Sequence, residues 1–200
     1  MPKSPTKRRP LTRAALTESA WALFTEKGFH TTSISDIVER AGLTRGAFYS
    51  NYRDKEEIFL ALYDAHADRL LADLRDAAAQ VKPGDNPIDE IQHRMAGRTD
   101  EERRWFLLSM EFTLHAARHP ELAAQLAAHE DQVTQGLTEV LTEALTRTGR
   151  RSTIPVTDLA RLLTAVFEGL TALQLIHGPA YDAQHLTPHL ISALTEPVTG

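Results

Sequence analysis

Residues 44–55, TRGAFYSNYRDK, concentrate side chains whose types suit hydrogen bonding to nucleic acid. Arg45 can donate two parallel hydrogen bonds to guanine, Asn51 can pair with adenine, and Ala47 can touch a thymine methyl group. Thr44, Tyr49 and Lys55 suit phosphate oxygens, contacts that fix register without reading sequence. Lys55 also stands where a helix begins, and free N–H groups there favour an anion. Gly46, Ala47 and Ser50 are small, so a helix carrying them could bring its backbone close to base edges in a major groove.

Such side chains need a scaffold, and the flanking residues describe one. Ser33 and Asp36 have capping-box spacing, with Asp as a shorter form of Glu, and predict a helix start at Ser33. Ile34, Ile37, Val38 and Ala41 recur at i, i+3, i+4 and i+7, which is one buried face. Gly42 suits the left-handed residue that ends a helix. Thr44 is an N-cap for a second helix over residues 45–51. At about 100° per residue, Phe48 and Tyr52 turn inward while Gly46, Ala47 and Ser50 turn outward. Asp54 and Glu57 form another box, which starts a long helix at Lys55. Two short helices across a tight turn, then a third, are the elements of a helix-turn-helix.

The segment RAALTESAWALFTEKGFHTTSISDIVERAGLTRGAFYSNYRDKEEIFLAL, residues 13–62, resembles the N-terminal domain of TetR-type transcriptional repressors. The resemblance is dense and ungapped. It implies an all-α homodimer whose two heads bind a palindromic operator in double-stranded DNA. It also implies a C-terminal domain in which a small-molecule effector releases the DNA. By motif position, Thr32, Thr44, Tyr49 and Lys55 fall where the family contacts phosphate. Arg45, Ala47, Ser50 and Asn51 fall where it meets bases. The family commonly carries His or another aromatic where this chain has Ser50 and Asn51, so the operator sequence stays open. The implied division is a basic arm with the DNA-binding domain over residues 1–54, and a helical ligand-binding and dimerisation domain over 55–200.

Composition agrees with that division. Residues 1–55 hold 10 Lys+Arg against 5 Asp+Glu, and residues 56–200 hold 12 against 22. A basic head on an acidic body suggests that one end meets a polyanion. Lys3, Lys7, Arg8 and Arg9, set among Pro2, Pro5 and Pro10, read as a disordered basic arm of the kind that enters a minor groove. The 200 residues include no cysteine. That leaves no disulfide and no thiolate metal site, as in a reducing cytosol, and a cytoplasmic location is expected. No secretory signal is visible, and no apolar run approaches the roughly 18–20 residues a membrane span needs.

Helix signals continue to the end of the chain, and the fold class expected is all-α with about nine helices. Beyond the two short ones they fall over residues 11–27, 55–81, 87–97, 101–118, 121–147, 156–177 and 188–194, and nothing reads as a strand. In residues 156–176 the polar Arg161, Thr164, Glu168, Thr171 and Gln174 form one narrow stripe. Apolar residues cover the rest, so this helix must be buried on two sides, as the central helix of a monomer or, as the resemblance implies, with one side against a partner subunit. A ligand pocket between helices would draw its walls from Met95, Phe106, Met110, Val133, Leu137 and Phe167, and its polar groups from His66, Glu111 and His129. Each of these also reads as ordinary core or rim. His115 with His119, and His185 with His189, have the four-residue spacing of helical metal pairs. Pro120 and Pro188 disturb the helix there and no third ligand is evident, so neither a metal nor a cofactor is expected. No nucleophile elbow or phosphate loop is present, and no enzyme is expected. The reading is a ligand-responsive, operator-binding repressor. The alternative is an interaction protein that keeps the fold but acts through another protein.

Overall fold

The computed structural model describes residues 8–82, 100–178, 181 and 186–198. Among them are eight helices: α1 (Arg8–Lys27), α2 (Ile34–Arg40), α3 (Arg45–Tyr49), α4 (Lys55–Gln80), α5 (Asp100–Ala116), α6 (Pro120–Thr148), α7 (Val156–His177) and α8 (Leu186–Leu194). The all-α expectation holds with one correction. Residues Arg150–Ser152 (β1) and Thr195–Pro197 (β2) pair as a short antiparallel ribbon, Arg151 facing Glu196. Arg150 secures it by donating to the Thr195 hydroxyl and carbonyl oxygens at 2.8 Å, and Gly149 enters it at φ 65°. Three residues per strand are too few for alternation to show in the sequence. The helix expected over 87–97 lies outside the described residues. Arg8 and Arg9, expected in the disordered arm, belong to α1. Pro10 falls in the first turn, where a missing N–H costs nothing.

The chain packs as two compact units. The first combines Met1–Ala67 with Thr99–His129, and the second Asp68–Arg98 with Glu130–Gly200. The core of the first joins Leu16, Ala20 and Phe24 of α1, Ile37 and Val38 of α2, Phe48 of α3, Ile58 and Phe59 of α4, and Leu108 and Phe112 of α5. Aromatic rings dominate it. Phe112 stacks on Phe59 at 3.7 Å between centroids and meets Phe29 edge-on at 5.0 Å. Each such side chain removed from water stabilises the unit by about 1.5–3 kcal/mol. Helices α1–α3 therefore share one core with α4 and α5.

The core of the second unit joins Leu74, Ala77 and Ala78 of α4, Val140, Leu141, Ala144 and Leu145 of α6, Leu159 and Ala160 of α7, and Ile191 of α8. Helices α4 and α6 approach closely at Gly136, where a Cβ would stand 2.5 Å from Leu71 Cδ1.

Helix α7 is apolar and largely uncovered within one chain. Only Leu159, Ala160 and Thr171 are buried, while Leu162, Leu173 and Ile176 are 36%, 39% and 77% exposed. It is long and apolar enough to cross a membrane by length and composition alone. That corrects the expectation that no stretch approaches such a length. Arg161 and Glu168 within the helix had broken the apolar run.

Candidate nucleic-acid interface

The two short helices form as their caps dictate. The Ser33 hydroxyl accepts from Asp36 N–H at 3.1 Å and the Asp36 carboxylate accepts from Ser33 N–H at 2.8 Å. That backbone bond, with help from Lys27 at 2.9 Å, lowers the Asp36 carboxyl to about 2. Gly42 closes α2 at φ 63°, the left-handed conformation that only glycine adopts without strain. Thr44 then caps α3, its hydroxyl accepting from Ala47 N–H at 3.2 Å. The hydroxyl hydrogen of Thr44 is left over for an outside acceptor. Asp54 Oδ1 accepts from Glu57 N–H at 2.8 Å at the start of α4, but Glu57 reaches back to Arg53 N–H instead of Asp54 N–H. The second box thus forms in altered register.

Helix α3 is anchored from beneath by Phe48 and Tyr52, at most 2% exposed, and Arg13 of α1 lies 4.6 Å over the Tyr52 ring. Burial raises the Tyr52 hydroxyl above its ordinary value, opposed by Arg13. The outer face presents Thr44, Arg45, Gly46, Tyr49 and Ser50 to solvent, with Ala47 half-buried. Arg45 Nη2 lies 3.5 Å from the Tyr49 hydroxyl oxygen, a long contact that leaves the guanidinium fork available. Ser50 donates to the Gly46 carbonyl at 2.8 Å.

Several expected contact residues are turned inward. Thr32 is buried and its hydroxyl donates to the Gly28 carbonyl at 2.8 Å. Asn51 donates from Nδ2 to the Ala47 carbonyl at 2.8 Å, and its Oδ1 is buried without a hydrogen-bond partner among the described residues. Adenine recognition by Asn51 needs another rotamer. The Lys55 ammonium donates to the carbonyls of Phe29 at 2.7 Å, Thr32 at 2.9 Å and His30 at 3.4 Å, and sits 4.3 Å over the Phe29 ring. Its three donors are thereby used. Burial pushes its pKa below the ordinary lysine value, against the pull of Glu56 and Glu111. Lys55 ties α4 to the α1–α2 loop in this structure. Replacing it by Ala is expected to lower unfolding free energy by about 1.5–3 kcal/mol, the range for hydrogen bonds to a charged group. The salt slope of DNA binding should stay unchanged. Urea unfolding and a salt titration measure the two separately.

The residue that the sequence could not place is Glu111. Its carboxylate accepts from Phe29 N–H and His30 N–H, both at 3.0 Å. Glu111 was expected to line a ligand pocket. Its oxygens are engaged with the α1–α2 loop instead, whose N–H groups it holds while Lys55 holds the carbonyls. Gly28 enters the loop at φ 87°, and a Cβ there would lie 3.1 Å from Glu111 Oε2. The other pocket candidates divide between the units. In the first, His66 stacks on Trp105 at 4.3 Å, His129 Nδ1 meets Asp64 Oδ1 at 2.5 Å, Phe106 is buried and Met110 is half-buried. In the second, Val133, Leu137 and Phe167 are half-buried, and Met95 lies outside the described residues. Of the histidine pairs, His115 and His119 lie 4.5 Å apart between ring centroids. Among the described residues no group of three His, Cys, Asp or Glu could hold a metal ion.

Comparison with known proteins agrees with this architecture. Residues 16–62 match the model for bacterial regulatory proteins of the tetR family. Residues 88–196, more than half of the chain, match the BetI-type transcriptional repressor C-terminal model. The chain is 25% identical over 158 residues to the HTH-type transcriptional repressor AcnR of Corynebacterium efficiens, covering 78% of each protein. It is 30% identical over 105 residues to the regulator AcrR of Shigella flexneri, covering 50% of this chain and 48% of that one. A TetR-family transcriptional regulator from Rhodococcus sp. shares the fold at a TM-score of 0.75 and 19% identity, over 92% of this chain and 98% of the other. With a capped helix-turn-helix at one end and a BetI-type domain at the other, the chain belongs to the TetR family of DNA-binding transcriptional regulators.

Proposed function

We propose that this protein is a homodimeric repressor that binds a palindromic operator and is released by a small-molecule effector. The observation that carries the reading is the outer face of α3. Arg45, Tyr49 and Ser50 stand exposed around Gly46 on a helix fixed from below by Phe48. In a major groove Arg45 reads guanine through its fork, and Tyr49 and Thr44 hold phosphates. The exposed apolar face of α7 supports the dimer. The two heads of one dimer then read two half-sites about one or more helical turns apart.

Effector release is a population shift, so the effector must bind the DNA-free arrangement more tightly than the DNA-bound one. A structural neighbour from Saccharomonospora viridis was solved in complex with choline, at a TM-score of 0.66 and 15% identity. That likeness makes a small organic cation the first effector class to try. The protein then works in the cytoplasm, where operator and effector meet.

The test is selection of genomic DNA fragments by the purified protein, followed by footprinting of the best one with wild type and Arg45→Ala. A two-fold symmetric footprint is expected. The variant should lose about 1–3 kcal/mol and relax its preference at one base pair in each half-site. An unchanged base preference would remove Arg45 from the reading role, and no enriched fragment at low or physiological salt would overturn the operator reading.

A further inference from the structure

Three histidines meet where the α1–α2 loop touches the C-terminal end of α5, all within the first unit. The ring of His115 lies 4.9 Å from that of His30 and 4.5 Å from that of His119. It also lies 5.4 Å from Phe29. His115 Nε2 is 3.4 Å from Glu56 Oε1 on α4, and His119 Nδ1 is 2.8 Å from the His115 carbonyl oxygen. The charged groups around His115 are Glu56 from α4, Lys55 across the Phe29 ring, and Glu111 one turn earlier on α5. The loop supplies His30 and the α5–α6 turn His119. None of these imidazoles lies on α3. The cluster does not meet the geometry of a metal site. A proton is the ligand it can take.

The neutral state of His115 is the packed one. Burial pushes its pKa below the ordinary histidine value, His119 and His30 add to the effect, and Glu56 opposes it. The loop beside it is the one held by Glu111 and Lys55. An imidazolium at His115 would face any second protonated ring at the short spacings above. Separating His30 from His115 relieves that repulsion, but it also pulls Phe29 N–H and His30 N–H away from Glu111.

We propose that this histidine cluster is a proton-sensitive latch, which holds the α1–α2 loop to α5 when neutral and loosens it, weakening DNA binding, in mildly acidic conditions. The loss of DNA affinity rests on the operator-binding reading above. The sign follows from linkage. A histidine whose pKa is depressed in the latched state binds fewer protons there than in the open state. The latch is therefore fully favoured above the ordinary histidine value of about 6.5 and loses ground as pH falls through it. Protonation would by itself make the head more positive and tighten non-specific DNA binding, so the proposal predicts the opposite of the simple charge effect.

The experiment uses the full-length protein, isotopically labelled, and a duplex fragment that it selects at pH 7.5. Amide protection of Phe29 and His30, corrected for intrinsic exchange, reports the latch without reference to DNA. Between pH 7.5 and 5.8 the wild type should lose protection at both amides by about twofold to fivefold, and DNA affinity by a similar factor, the span one histidine with an ordinary value of about 6.5 can give. His115→Gln should flatten both profiles. If that variant fails to fold, the exposed pair His30→Gln with His119→Gln removes the facing rings and should shrink both changes. Constant protection in the wild type, affinity that rises on acidification, or a full pH response in the variants would overturn the latch. Absence of selected DNA at pH 7.5 would count against the operator reading instead, and the protection profile would still decide the latch.

Discussion

Phe112→Ala should destabilise the first unit by about 3–5 kcal/mol, the usual cost of emptying a large aromatic site in a core. Phe112 is fully buried, stacked on Phe59 of α4 and edge-on to Phe29 in the α1–α2 loop. Through it α5 packs on both the loop and the long helix. Its neighbour Glu111 can accept from the loop N–H groups only while α5 stays seated, so the truncation also loosens a charge-assisted contact. Leu114, on the same helix but 62% exposed, is the control, and its replacement by Ala should change stability by less than about 0.5 kcal/mol. Urea unfolding followed by circular dichroism compares the two. DNA affinity of Phe112→Ala should fall with the folded fraction. If the two variants were equally stable, the joint between head and α5 would not be the packed core described above.

Local chemistry made the reading head legible. Ser33 with Asp36, Gly42 and Thr44 each perform the capping or turn role that their types imply, and Phe48 and Tyr52 are buried as their spacing predicts. These signals act over three or four residues, the range over which a sequence declares structure. What joins the head to the rest acts over much longer separations. Glu111 bonds N–H groups 82 and 81 residues away, and Lys55 reaches carbonyls 26 and 23 residues away. No periodicity reports such contacts. Lys55 was singled out for its charge at a helix start, and the fold turned that charge to the carbonyls of its own loop. Thr32 reads as a phosphate ligand by motif position, yet its hydroxyl faces its own backbone. The ribbon of β1 and β2 escaped because tertiary pairing, with Arg150 on Thr195, makes strands of segments that carry no strand pattern.

On the homodimer proposed above, Leu173→Glu with Ile176→Glu should convert dimer to monomer while leaving the second unit folded. Leu162, Leu173 and Ile176 lie at i, i+11 and i+14, which brings them within about 60° of one another on the helix. All three are exposed in the single chain although α7 is the most apolar long helix present, and Leu186 of α8 is 47% exposed as well. A face of this kind calls for a cover. In a two-fold dimer each substitution appears twice, so four carboxylates enter the same apolar contact. Burying an unpaired charge costs several kcal/mol, which exceeds what such an interface can absorb. The uncovered side of the helix already faces solvent within one chain, so the melting temperature of the monomer's own core should change little. Operator affinity should drop by about 10²–10⁴-fold, because a single head loses the effective concentration that the linked second head provides. Sedimentation equilibrium reads the mass and footprinting reads the site, which should shrink to half-site contacts or vanish. A double variant that stays dimeric, with its two-fold footprint intact, would place the interface elsewhere and leave the apolar face of α7 to be covered by something other than a second copy of the chain.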